Sequence, residues 1–326
     1  MTTNEDRALL VRTVRDLVSK HADSESVRAA MESEHGYDES LWRLLCEQVG
    51  AAALVIPEDL GGAGGELADA AAVIAELGRA LVPTPLLGTT LAELALLAPQ
   101  DGVEPDTDTL EALAAGESIG TVVFDPGFVV NGADADVVIA AADGRLTRWT
   151  EPTVTPAVAM DPTRRLAALT ATQTEPLRAD PGLADMAALL LAAEAVGAAT
   201  RCLELTVEYA KERVQFGRPI GSFQALQHRM ADMYVKVQTA AAVVDEALQD
   251  PSPTSAALAH VTAIEAFRDI AGEAIQLHGG IAITAEHDIQ LYFKRAHGSA
   301  QLFGQPIEYL RRLESARSEE RRVGKE

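Results

Sequence analysis

Leu226, Met230, Met233, Val237, Ala240, Val244 and Leu248 recur at intervals of three or four residues. That spacing draws one straight apolar seam along a helix, and such a seam packs against antiparallel neighbours in a bundle. Asp250-Pro-Ser-Pro253 ends the helix, Thr254 is placed to cap the next one, and Gly279-Gly280 ends that one in turn. The composition agrees, being Ala-rich with only 4% aromatic residues. Alanine loses no side-chain entropy in a helix.

With 326 residues the chain is long enough for two or three domains. From Glu5 to about Ala98 the apolar period is helical: Leu9, Leu10, Val14, Leu17 and Val18 share one face, and Leu41, Leu44, Leu45 and Val49 another. A glycine-rich loop from Pro57 to Gly65 precedes a helix from Glu66 to Leu81, which Pro83 and Pro85 stop, and Leu86–Leu97 reads as a fourth. Between Glu117 and Arg178 the period shortens. Thr121–Phe124, Val137–Ala140 and Leu146–Trp149 are β-type runs separated by Asp-Pro-Gly, Asn-Gly and Asp-Gly turns, and Leu166–Thr174 reads as a further strand. Helices return from Leu183. The expected organisation is mainly α with a small β domain: an N-terminal helical domain over 1–116, a reduced β domain over 117–180, a four-helix bundle over 181–315, and a disordered tail over 316–326.

A formal charge of −22 opposes binding to nucleic acid, whose affinity comes from clustered Lys and Arg, and to an anionic membrane surface. Two cysteines, Cys46 and Cys202, make neither a disulfide framework nor a closed zinc site. The charged N-terminus lacks a signal-peptide core, and no run approaches the ~18–20 apolar residues of a membrane span. A cytoplasmic location is expected.

Two stretches carry candidate chemistry. In Tyr209-Ala-Lys-Glu-Arg213-Val-Gln-Phe216-Gly217-Arg-Pro219-Ile220, followed by Gln224, a helix ends, turns at Phe-Gly and restarts. Arg213 either complements the helix dipole or faces a ligand, since a guanidinium binds pyrophosphate bidentately. In Gln276-Leu-His278-Gly279-Gly280 the glycines either cap a helix or admit a ligand to the backbone, with Gln276 offering donor and acceptor.

Together these stretches resemble the acyl-CoA dehydrogenase family, whose C-terminal bundle carries an Arg-x-x-Phe-Gly-x-Pro-Ile turn and, further on, a Gln-x-x-Gly-Gly segment. Pro57-Glu58 and Leu60-Gly61-Gly62-Ala63-Gly64 are similar to its N-terminal Pro-Glu-x-x-Gly-Gly-x-Gly passage, so the likeness covers nearly the whole chain. The resemblance implies a dimer of dimers in which Arg213, Phe216, Gln224, Gln276, Gly279 and Gly280 contact the adenosine diphosphate half of an FAD seated mainly in the neighbouring subunit. It implies an acyl-CoA substrate and an electron-transferring flavoprotein as the usual acceptor.

The same resemblance exposes departures. The chemistry needs a carboxylate to take the α-proton. Many members carry it in Tyr-Glu-Gly-Thr just before the final helices, where the present segment reads Arg295-Ala-His297-Gly298, placing His297 at that position. Others carry it on the helix before the Arg-x-x-Phe-Gly turn, which falls here at Ala187. Glu194 shares that helix face but is displaced by roughly 10 Å. The family's Thr-Glu-Pro-x-x-Gly-Ser-Asp and Trp-Ile segments are missing, for Thr174-Glu175-Pro176 and Trp149-Thr150 stand in the wrong context. The expectation is a non-catalytic subunit of an α2β2 complex whose partner supplies the base, similar to actinobacterial steroid side-chain dehydrogenases, which Glu76–Pro85 also resembles. A homo-oligomer using His297 or Glu194, and a flavin-free scaffold, are the alternatives.

Overall fold

A computed structural model describes residues 4–99 and 104–323. Six helices open the chain: α1 (Asn4–His21), α2 (Ser24–Glu32), α3 (Glu39–Leu44), α4 (Leu67–Arg79), α5 (Leu86–Leu96) and α6 (Thr107–Ala114). Seven strands follow, β1 (Gly120–Val123), β2 (Val129–Val130), β3 (Val137–Ala142), β4 (Arg145–Thr150), β5 (Thr153–Ala157), β6 (Leu166–Thr170) and β7 (Gln173–Ala179). The bundle comprises α7 (Leu183–Glu212), a hairpin of β8 (Val214–Gln215) and β9 (Arg218–Pro219), then α8 (Gln224–Gln249), α9 (Pro253–His278), α10 (Ile289–Ser299) and α11 (Pro306–Val323).

The strands form two small sheets, ordered β1-β3-β4-β7 and β2-β6-β5, antiparallel except for the parallel β1/β3 pair. Val123, Val129, Val138, Ala140, Ala167 and Leu169 fill the space between them, and the Thr121 hydroxyl donates across to Val130 O at 2.6 Å. The run expected as one strand over Leu166–Thr174 is divided into β6 and β7 at a surface turn, where the exposed Thr172 hydroxyl donates to Thr150 O and Glu151 O.

In the bundle, Met233, Val237, Ala240 and Val244 of the seam are buried, as is Ala247, while Leu226, Met230 and Leu248 are half-buried against the same core. Ser252, not Thr254, caps α9, with Pro253 at the first helical position, where its missing N–H costs nothing. The largest core runs unbroken from α1 through α5, α7, α9 and α10. Two glycines let α4 and α7 cross at backbone contact. A Cβ on Gly197 would stand 1.9 Å from Ala75 O, and one on Gly78 would stand 2.6 Å from Glu194 Cγ.

Two expectations need correcting. The tail is not structureless through its described part, since α11 continues to Val323; its Glu, Arg and Ala content is helix-forming, and no glycine interrupts before 324. Residues 324–326 lie outside the described residues. And α7 holds an 18-residue stretch with a mean hydropathy of 1.5, long and apolar enough to cross a membrane, although Asp185 and Glu194 divide its apolar run. Here it is the central helix, covered by α4, α8, α9 and α10.

Candidate functional site

Helices α7 and α9 end, and α8 begins, at one end of the bundle. Arg213 leaves α7 in extended conformation (φ −70°, ψ 115°), and Ile220 N donates back to Arg213 O at 2.8 Å, closing the corner. Between them Phe216 and Gly217 both take positive φ (52° and 78°), which gives the tight two-residue hairpin its twist. Phe216 is 92% exposed and meets Phe223 edge-on, while the Arg218 guanidinium lies 4.1 Å over the Phe223 ring. Arg213 and Gln224 are exposed, and Arg213 has no ion-pair partner among the described residues.

The glycine turn stands beside this corner. Gly279 (φ 64°, ψ −140°) ends α9 in a conformation that only glycine adopts without strain. Gln276, Gly279 and Gly280 are exposed, with open space wherever a Cβ would project from either glycine. Tyr209 joins the two stretches. Its ring stacks on His278 at 4.4 Å, and its hydroxyl donates to His278 O at 3.2 Å. All six residues expected to face a cofactor are thus surface groups at the same end, and no direct bond links Arg213 to Gln276.

The interior contrasts with this. Ala187 is wholly buried in the main core, so nothing placed there reaches a substrate without repacking. Glu194 is buried with both oxygens taken, Oε1 by Arg295 Nη1 at 2.7 Å and Oε2 by Arg164. Arg295 Nε also contacts Asp161 Oδ2 at 2.6 Å, Thr163 Oγ1 donates to Asp161 Oδ1, and Arg164 Nη1 donates to Ser299 Oγ at 3.2 Å. Two acids from separate segments and two arginines therefore cancel. Burial opposes the charge of Asp161, but Arg295 and Arg164 outweigh it and hold its carboxyl below the usual range. The cavity left beside this cluster measures only about 20 Å³.

His297 lies within α10, half-buried, its ring 4.4 Å from Phe293. Burial, and then the charge of Arg268, lower its pKa. The segment immediately before the final helix is instead Leu302-Phe303-Gly304-Gln305, with Phe303 and Gly304 at φ 59° and 106°. Its apolar–x–Gly–polar order matches that of Tyr-Glu-Gly-Thr. Phe303 meets Phe124, which follows β1, edge-on at 5.3 Å. With Val122, Phe128, Gln301 and Gln305 they line a cleft of about 450 Å³ that holds no lysine, arginine or histidine. Its carboxylates face their own loops: Asp125 accepts from Gly127 N, and Glu308 from Gln305 N. Thr174-Glu175-Pro176 lies on β7, exposed and paired with β4.

A helical–β–helical chain with this corner and glycine turn has the architecture of a flavin-dependent acyl-CoA dehydrogenase. The chain belongs to that family: residues 4–99 match the acyl-CoA dehydrogenase N-terminal domain and residues 157–313 the C-terminal domain. It is 67% identical to the acyl-CoA dehydrogenase IpdE2 of Mycobacterium tuberculosis, over 97% of this chain and 98% of that protein. To the IpdE2 of Mycolicibacterium smegmatis it is 66% identical, over 96% and 99%. Among solved structures, a variant of the Tcur3481-Tcur3483 steroid ACAD superposes with a TM-score of 0.89 at 27% identity, over 97% of this chain and 98% of that one. The ChsE4-ChsE5 complex from Mycobacterium tuberculosis superposes with a TM-score of 0.87 at 25% identity, over 98% of each.

Proposed function

We propose that this chain is the non-catalytic subunit of an FAD-dependent acyl-CoA dehydrogenase, assembled in the cytoplasm as two copies with two copies of a catalytic partner. The observation that carries this reading is the fate of the carboxylates. Ala187 stands at one base position, and Phe303 or His297 at the other. The one nearby buried glutamate, Glu194, is held by two guanidiniums. A carboxylate so paired has no free oxygen to abstract a proton, so the homo-oligomeric alternative with Glu194 as base loses its footing.

The surviving groups fit half of the cofactor. A free guanidinium at Arg213 and two glycines opening on empty space suit a pyrophosphate and its adenosine. The cleft at Phe124 and Phe303 does not suit the rest, since it is packed with aromatic rings and offers no cation. The assembled enzyme draws its hydride acceptor from FAD and its base from the partner. Within it Arg213, Phe216, Gln224, Gln276, Gly279 and Gly280 bind and orient the adenosine diphosphate half. Phe216 and Ile283, 92% and 80% exposed, and the outward Tyr234 and Val235 of α8 supply apolar surface for the partner. The likeness to a steroid ACAD supports a steroid side-chain acyl-CoA as substrate. An electron-transferring flavoprotein is the acceptor to try first.

Co-purification with candidate partner subunits tests the reading. Flavin absorbance and acyl-CoA oxidation are expected only in the mixed complex, with a native mass of two plus two subunits. An active yellow homo-oligomer would sink the proposal, and a colourless mixed complex would favour a scaffold.

A further inference from the structure

We infer that Tyr209 is a positioning residue that locks the Arg213 corner and the Gly279-Gly280 turn into a single edge for the adenosine diphosphate half of FAD. The inference rests on the reading above and adds a part to it. Tyr209 stands one helical turn before Arg213, the residue that caps the end of α7 and whose N–H donates to Tyr209 O at 2.9 Å. Whatever the last turn of α7 is fastened to decides where the guanidinium rises. It is fastened to the last residue of α9: the Tyr209 ring lies nearly parallel to that of His278, 20° off at 4.4 Å, and the hydroxyl reaches His278 O.

That carbonyl belongs to the peptide unit leading into Gly279. The unit is held from both sides, its C=O by the Tyr209 hydroxyl and its N–H by Ile275 O. The histidine is itself fixed. A carbonyl can only accept, so His278 Nδ1 carries the proton it shares with Ala274 O at 2.8 Å, and the His287 ring closes the stack edge-on at 4.9 Å. The result is a stack of three rings behind two surface motifs that do not touch each other directly. Without it, the ends of α7 and α9 keep their helices but lose their common register.

The test uses the full complex with its partner, stripped of flavin, comparing FAD with FMN, which lacks the adenosine half. Y209A is expected to weaken FAD binding by about tenfold or more, leaving FMN binding and the native mass unchanged. Y209F, which keeps the stack and loses only the hydroxyl, is expected to fall between Y209A and the parent. R213A serves as reference. Loss of FAD preference in R213A but not in Y209A overturns the positioning role while leaving the arginine contact standing. Equal weakening of FAD and FMN in Y209A also overturns it, since that marks a general loss of structure. An R213A complex with undiminished preference for FAD removes the arginine contact itself, and the clamp with it.

Discussion

The exposed end of the bundle and its interior treat polar groups in opposite ways. At the end, Arg213, Gln224 and Gln276 stand in solvent, and the glycines open outward. Inside, charges are cancelled or removed. Asp161, Arg164, Glu194 and Arg295 neutralise one another, and Glu93, buried without a hydrogen-bond partner on either oxygen, has its carboxyl pushed well up by desolvation, which disfavours its charged form. An enzyme needs an interior carboxylate that is charged, reachable and unpaired. This interior contains none among the described residues, whereas its surface keeps the kind of groups that serve a ligand held by another chain.

The comparison breaks most visibly if one member of the buried cluster is removed. R295M leaves Glu194 and Asp161 short of a counter-charge in the core, and losing one partner of a buried pair costs about 3–5 kcal/mol. Urea unfolding of R295M is expected to show that loss, whereas R213A should unfold within about 0.5 kcal/mol of the parent. A stable R295M would mean that the cluster is wetter, and closer to a working site, than its burial implies.

A smaller effect sharpens the same contrast through pH. His260 is fully buried against Tyr309, and the carbonyls of Ala188 and Gly304 approach it without reaching hydrogen-bonding geometry. Desolvation lowers its pKa from 6.5 to about 4. Above pH 6.5 the imidazole is neutral in both states. Below it the unfolded chain takes a proton that the folded chain refuses, so stability falls until about pH 4. The shift is worth at most on the order of 3 kcal/mol. Subtracting the pH profile of H260F from that of the parent isolates this term from the carboxylates; a flat difference would refute the burial argument.

Much of this was legible in the sequence, and the illegible parts share a cause. Periodicity gave α8 and its seam, and Gly279 its place at the end of α9, because those signals are local. The charge cluster was not readable, since Arg295 meets Glu194 and Asp161 across 101 and 134 residues. Strand β5 was missed because it is an exposed edge that carries Pro156. The glycine that marked the expected base position, Gly298, lies inside α10 and ends no helix. Gly304 followed by Pro306 was the better mark of the loop, since a helix that starts on proline announces where the preceding turn ends.

At the crossing of α4 and α7, G197A should cost roughly 1–3 kcal/mol, the usual range for overpacking, because a methyl cannot fit 1.9 Å from Ala75 O. The melting temperature of the isolated subunit reports it. The crossing of α4 and α7 also lodges Glu194 against Gly78, so the same substitution disturbs the interior more than the surface motifs. FAD binding by complexes that still assemble should therefore hold.

The smallest expected effect decides most about chemistry. His297 is the remaining imidazole at a base position, and nothing in its surroundings prepares it for proton transfer. It packs on Phe293 within a helix, and burial together with Arg268 disfavours its charged form. Losing a true general base lowers turnover by ~10²–10⁴. In the assembled complex H297A is expected to leave turnover and its pH profile unchanged, apart from a slight loss of stability from the missing ring contact. A fall of even ~10²-fold with assembly and flavin content intact would move the base into this chain. The division between a surface that binds and an interior that is shut would then have to be redrawn around α10.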